Sequence, residues 1–178
     1  MSSLSTLLSL LDSRSFTSLW YWLGFAAMWS LASRNVLGIP SDVVMRARRD
    51  EAGRAVLLQW LAVVLPHWRI GPGMAMALTG LGCFVLVVLA GLGFAYGLEA
   101  AQALFLMVAP LLAVLVLRVR LAQGLMRVLA SHPPQEAARL AARGLVRHGW
   151  LTYGMALVSI AVTSFMAALW IVRHPFGI

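Results

Sequence analysis

From Ile70 to Leu117 the chain runs for 48 residues with a single formal charge, Glu99. A helix folded in water needs a polar face, and this stretch has too few polar side chains to make one. At 1.5 Å of rise per residue, about 20 apolar residues cross the core of a bilayer, so the run is long enough for two crossings. Gly97 and Glu99 fall near its middle. The pattern predicts a transmembrane hairpin: a helix over about 70–96, a tight turn at 97–99 and a helix over about 100–117.

The rest of the chain agrees with this class. Only 11% of its residues are charged, where soluble domains carry about 25%. Phe16 to Ser33 contains no charge and predicts a crossing over about 16–35, with Trp20, Tyr21 and Trp22 at its start as in an aromatic belt. Trp29, deeper in that segment, is expected to pack against another helix. Gly149 to Val172 is also free of charge and predicts a crossing over about 149–172. The expectation is therefore an all-α polytopic protein, a single membrane domain over residues 1–178 with four transmembrane helices. Before the first crossing, Leu4, Leu7, Leu8 and Leu11 recur at helical spacing and suggest a short amphipathic helix on the membrane surface, without the features of a secretory signal.

Arginine sets the orientation. The chain has 14 basic residues, all arginine, against six acids. Twelve of the 14 lie in two stretches, 34–69 and 118–148. The positive-inside rule puts both stretches in the cytoplasm of a bacterial inner membrane and both termini in the periplasm. Within the first stretch, Pro40 ends a helix and Ser41 or Asp42 is placed to cap the next. Ala55 to Leu65 is apolar but too short to span, and is expected to lie in the interface or pack under the bundle. In the second, Ser131-His132-Pro133-Pro134 ends an extension of the third helix and Gln135-Glu136 begins the next. Arg46, Arg48 and Arg49 form one basic cluster, and Arg139, Arg143 and Arg147 fall at i, i+4, i+8 as one helical stripe. Both sets suit contact with anionic lipid or a cytosolic partner. Nucleic acid is not an expected partner.

Packing inside the membrane is expected from small residues. Gly93 and Gly97 are spaced as a GxxxG pair on the second crossing, and Thr152, Ala156, Ser159, Thr163 and Ala167 share one face of the fourth. That face, or a partner chain, is the expected receiver of the glycines. Pro110 predicts a bend about one turn earlier in the third crossing.

Catalytic groupings are missing from the pattern. There is no Ser/His/Asp set, no paired carboxylates and no phosphate-binding glycine loop after a strand. Cys83 is the single cysteine, so no intramolecular disulfide forms. Haem ligation requires two histidines at similar depth on facing helices. His67 and His148 sit at the ends of crossings and can meet there, but neither lies in an apolar helix core. No cofactor and no metal is expected. Glu99 coincides with the hairpin turn and is expected at the outer surface, leaving no carboxylate within a helix for proton-coupled export.

Four stretches carry a family likeness: Arg14-Ser-Phe-Thr-Ser-Leu-Trp-Tyr-Trp, Ala27-Met-Trp-Ser, Val36-Leu-Gly-Ile-Pro followed by Asp42 to Arg49, and Gly93-Phe-Ala-Tyr-Gly-Leu-Glu-Ala-Ala-Gln-Ala. Over residues 14–49 and 80–106 the chain resembles a family of small membrane proteins of photosynthetic and marine alphaproteobacteria. Members are described as a component of the SUF iron–sulfur assembly complex. The resemblance implies at most a tether for such machinery and supplies no catalytic residue. Residue chemistry thus favours a non-enzymatic accessory, assembly or scaffold subunit that packs against other membrane proteins or against itself. A small transporter or channel-like oligomer, and a membrane tether for a cytosolic complex, are the alternatives.

Overall fold

The computed structural model describes residues 18–173. The expected surface helix over residues 1–15 lies outside them. Six α-helices follow in order: α1 (Leu19–Arg34), α2 (Ser41–Arg49), α3 (Glu51–Val64), α4 (Pro72–Ala90), α5 (Glu99–Ser131) and α6 (Pro134–Arg173). A 3-10 turn at Leu65–Trp68 follows α3, and a π-helical segment at Gly91–Ala95 extends α4. Every regular element among the described residues is helical.

Three of these helices are long and apolar enough to cross a membrane: α4 with its extension, α5 and α6. The expected first crossing appears as α1, 16 residues long, about 24 Å by helical rise and short of a ~30 Å hydrocarbon core. The hairpin lies where hydropathy placed it. Its turn has a specific construction. The Tyr96 N–H bonds the Gly91 carbonyl at 3.2 Å, and the Leu98 N–H reaches back to the Leu92 carbonyl at 3.1 Å. Gly97 between them has φ +72°, the left-handed residue that such a helix C-terminus demands. α5 then runs without interruption through Pro110.

The described chain divides into two compact units. The first takes the start of α1, residues 77–112 and α6 from residue 156. Ala103 and Ala167 are buried there, with Tyr21, Trp22, Leu106 and Trp170 packed against them. Phe25 and Trp29 are buried on α1. The Tyr21 hydroxyl donates to the Ala103 carbonyl at 3.2 Å, so part of the expected interfacial aromatic cluster serves helix packing. Trp20 remains exposed.

The second unit takes residues 30–76 and 113–155. Its core gathers Leu37, Ile39, Val44, Ala47, Leu57, Leu61, Leu65, Ala122, Leu125, Ala141, Ala142 and Leu145. The two arginine-rich stretches are helical and share this core: α2 and α3 pack on the far part of α5 and the near part of α6. The apolar segment 55–65 supplies part of that core through Leu57, Leu61 and Leu65. Two local devices set its geometry. Val36 to Ile39 forms a tight turn, the Ile39 N–H bonding the Val36 carbonyl at 3.0 Å. Both central residues have positive φ, Leu37 at 57° and Gly38 at 84°. Between α2 and α3, Asp50 caps α3 by accepting from the Gly53 N–H at 2.5 Å. The cap expected from Ser41 or Asp42 is absent, because Pro40 occupies the cap position of α2 and brings no side-chain acceptor.

Candidate functional site

The glycine pair does not form a shared helix face. Gly93 lies in the π-helical segment, while Gly97 lies past its end, where an added methyl would meet nothing within 4 Å. The GxxxG spacing counts a helical turn beyond the point where the helix stops. Gly93 does allow a close approach. A Cβ there would stand 2.8 Å from the Gln102 amide nitrogen. The Gln102 side-chain amide also donates to the Gly93 carbonyl at 2.7 Å. The glycine is received by α5, the other arm of its own hairpin.

Thr152, Ala156, Ser159, Thr163 and Ala167 are all buried. Ala167 forms one cluster with Ala103 of α5, against which the Tyr21 and Trp22 rings of α1 pack. At this level the α6 seam faces α1 and α5, and none of the residues of α4 is buried. Thr152 returns its hydroxyl to its own helix, donating to the His148 carbonyl at 3.0 Å.

All six selected arginines are exposed: Arg46, Arg48 and Arg49 on α2, and Arg139, Arg143 and Arg147 on α6. Opposite the α6 stripe, Ala137, Ala138, Ala141, Ala142 and Leu145 face the core. Arg46 stands 3.9 Å from Asp42, with both side chains mostly exposed, a pairing worth little in water. The acids have a different use. Asp42, Glu51, Glu99 and Glu136 occupy first turns of α2, α3, α5 and α6, and Asp50 caps α3. There they complement the positive ends of the helix dipoles. Arg54 is joined to α6 through Gln135, which accepts from the Arg54 Nε at 2.9 Å and donates to Glu51 at 2.8 Å.

Glu99 departs from expectation. It is 9% exposed and thus buried, and it begins α5 as part of that helix's first turn. His67 is exposed and bonds the Val63 carbonyl of its own segment through Nδ1 at 3.0 Å. His148 is buried, 4% exposed, in the electrostatic field of Arg118. Arg118 itself donates through one terminal nitrogen to the Ala32 and Asn35 carbonyls, a cation at the C-terminal end of α1 where the helix dipole favours one. Among the described residues no group of three or more His, Cys, Asp or Glu side chains is gathered to hold a metal.

Sequence reasoning passed over Gly53, Gln102 and Arg118. The available signals were small: an Asp three residues before a glycine, one amide in an apolar hairpin, and one arginine at the edge of an apolar run. Together these features give apolar helical surfaces, two arginine-bearing helices and a half-buried polar contact that ends α1. They suit binding and packing. No family model, curated protein or solved structure matches the chain.

Proposed function

We propose that this chain is a non-enzymatic accessory or scaffold subunit of a bacterial inner membrane, with four crossings and both termini in the periplasm. The supporting observation is α4. It is apolar along its whole length, yet none of its residues is buried within the chain. Met74, Met76, Leu78, Leu81, Phe84 and Val87 are all exposed. In water such a surface would aggregate, and in a bilayer it is free for lipid and for the helices of other membrane subunits. α1 serves as the fourth crossing in this reading. The 12-to-2 division of arginine gives the orientation.

Reporter fusions at Ser131 and after Ile178 should signal from opposite sides of the membrane. A cytoplasmic signal from the C-terminal fusion would overturn the orientation. Purification in mild detergent should recover other membrane chains with this one. A second reading, a tether for a cytosolic complex, draws on the folded second unit with its exposed arginines. It would be favoured if the chains recovered were soluble ones.

A further inference from the structure

Helix α3 is apolar on two faces. Gly53, Leu57 and Leu61 point into the core. Val56, Trp60 and Val63 do not, and are 43%, 39% and 66% exposed. Their i, i+4, i+7 spacing puts them on one stripe. A helix that closes a core in water normally turns polar residues outward there. The polar side chains of α3 are few, and two of them, Glu51 and Arg54, are tied to Gln135 at its first turn.

Position supplies the occupant of this stripe. α3 has 14 residues, about 21 Å, and is too short to span. The 3-10 turn at Leu65–Trp68 follows it directly, and three residues later α4 starts at Pro72. The turn rises about 8 Å, and the four chain steps from Trp68 to Pro72 reach at most about 14 Å. The C-terminal end of α3 therefore stays within about 22 Å of the start of α4. Charge completes the case. Arg48 and Arg49 precede α3 and Arg69 follows it, all exposed, while the nearby acids Asp50 and Glu51 are engaged at the N-terminus of α3. A tryptophan between aliphatic residues, flanked by arginines, suits the headgroup–acyl boundary of an anionic leaflet.

We propose that the Val56–Trp60–Val63 stripe of α3 is a lipid-binding surface, seated in the interfacial layer of an anionic monolayer with Arg48, Arg49 and Arg69 on its phosphates. This rests on the membrane reading above, and the test separates the two. Cys83→Ser removes the native thiol. Single cysteines then replace Val56, Trp60 or Val63 on the stripe, Ala55 or Ala62 away from it, and Phe84 on α4. Each folded variant is labelled with a polarity-sensitive fluorophore and reconstituted into phosphatidylglycerol-containing vesicles bearing acyl chains brominated near the headgroup.

Quenching at 56, 60 and 63 is expected to be at least twice that at 55 and 62, with Phe84→Cys also lipid-accessible. If position 84 is quenched while the stripe behaves like 55 and 62, the proposal fails and the membrane reading stands. If a lipid quencher placed at any depth leaves position 84 untouched, the membrane reading fails as well. A stripe shielded from both aqueous iodide and brominated lipid is covered by protein, which also overturns the proposal. Zwitterionic vesicles, or the R48Q/R49Q/R69Q variant, should reduce stripe quenching by about half. Quenching indifferent to both changes would overturn the anionic part.

Discussion

At Gly53 the first turn of α3 rests directly on the backbone of α2. A Cβ there would lie 2.5 Å from the carbonyl carbon and 2.7 Å from the carbonyl oxygen of Arg46. Neither is a flexible side chain, so the helices would have to part. Gly53→Ala is expected to cost about 1–3 kcal/mol, as overpacking does. Gly124→Ala is the contrast. Nothing lies within 4 Å of its added methyl, and a helix-interior alanine gains up to ~1 kcal/mol over glycine. Thermal unfolding of both variants in the same detergent should show opposite shifts; equal shifts would refute the close approach. Leu37 presents a different balance. Its φ of 57° is unfavourable for a side chain with a Cβ, by roughly 1–2 kcal/mol. Its side chain is nevertheless almost fully buried in the second unit. Burial of a leucine, worth about 1.5–3 kcal/mol, offsets that strain. The strain was not legible in Val36-Leu-Gly-Ile-Pro, because it depends on what the turn packs against.

Among the elements, α1 ends on a side chain from α5. Arg118 binds the Ala32 and Asn35 carbonyls, two groups at the helix end that have no intrahelical donor. Arg118→Met keeps much of the stem and removes the donors, and is expected to cost about 1–3 kcal/mol. The loss should appear locally, as faster amide exchange in the second unit's part of α1. Unchanged exchange there would mean that the contact does not hold the helix end. In the hairpin, Gly93→Ala should be markedly worse than Gly97→Ala. The first drives a methyl against the Gln102 backbone. The second meets open space and bears the conformational cost of φ +72°, about 1–2 kcal/mol. Melting temperatures that ranked the two in reverse would contradict the described tip. The hairpin itself was legible, since apolar length and a central glycine survive any detail of packing. The separate uses of its two glycines were not, since residue spacing carries no mark of where helical hydrogen bonding stops. Nor does spacing show that Glu99, next to the turn, is buried.

For the whole molecule, the sequence left open where the apolar residues of the arginine-rich stretches go. Spacing allows the segment 55–65 either the interface or a place under the bundle, and only the fold brings it to residues far along the chain. Val44, Ala47, Leu57, Leu61, Leu125 and Leu145 make one core. Leu145→Ala should therefore loosen the second unit by about 2–5 kcal/mol, while the apolar length that suits α4 to a membrane is untouched. Limited proteolysis of membrane vesicles should show new cleavage within residues 41–64, with the protein still resistant to alkaline extraction. Loss from the membrane would show that the core and insertion are inseparable.

The tip of the hairpin has a consequence for biosynthesis. Its widened last turn, its left-handed glycine and its Gln102 amide all lie between residues 91 and 102. The Tyr96–Gly91, Leu98–Leu92 and Gln102–Gly93 bonds that close it join residues no more than nine positions apart. Loops this short close fast, on the scale of 10–100 ns for about ten residues. Translation adds only about 5–20 residues per second. The two arms can therefore pair while the ribosome is still making α6, so that α6 meets a hairpin whose tip is already closed.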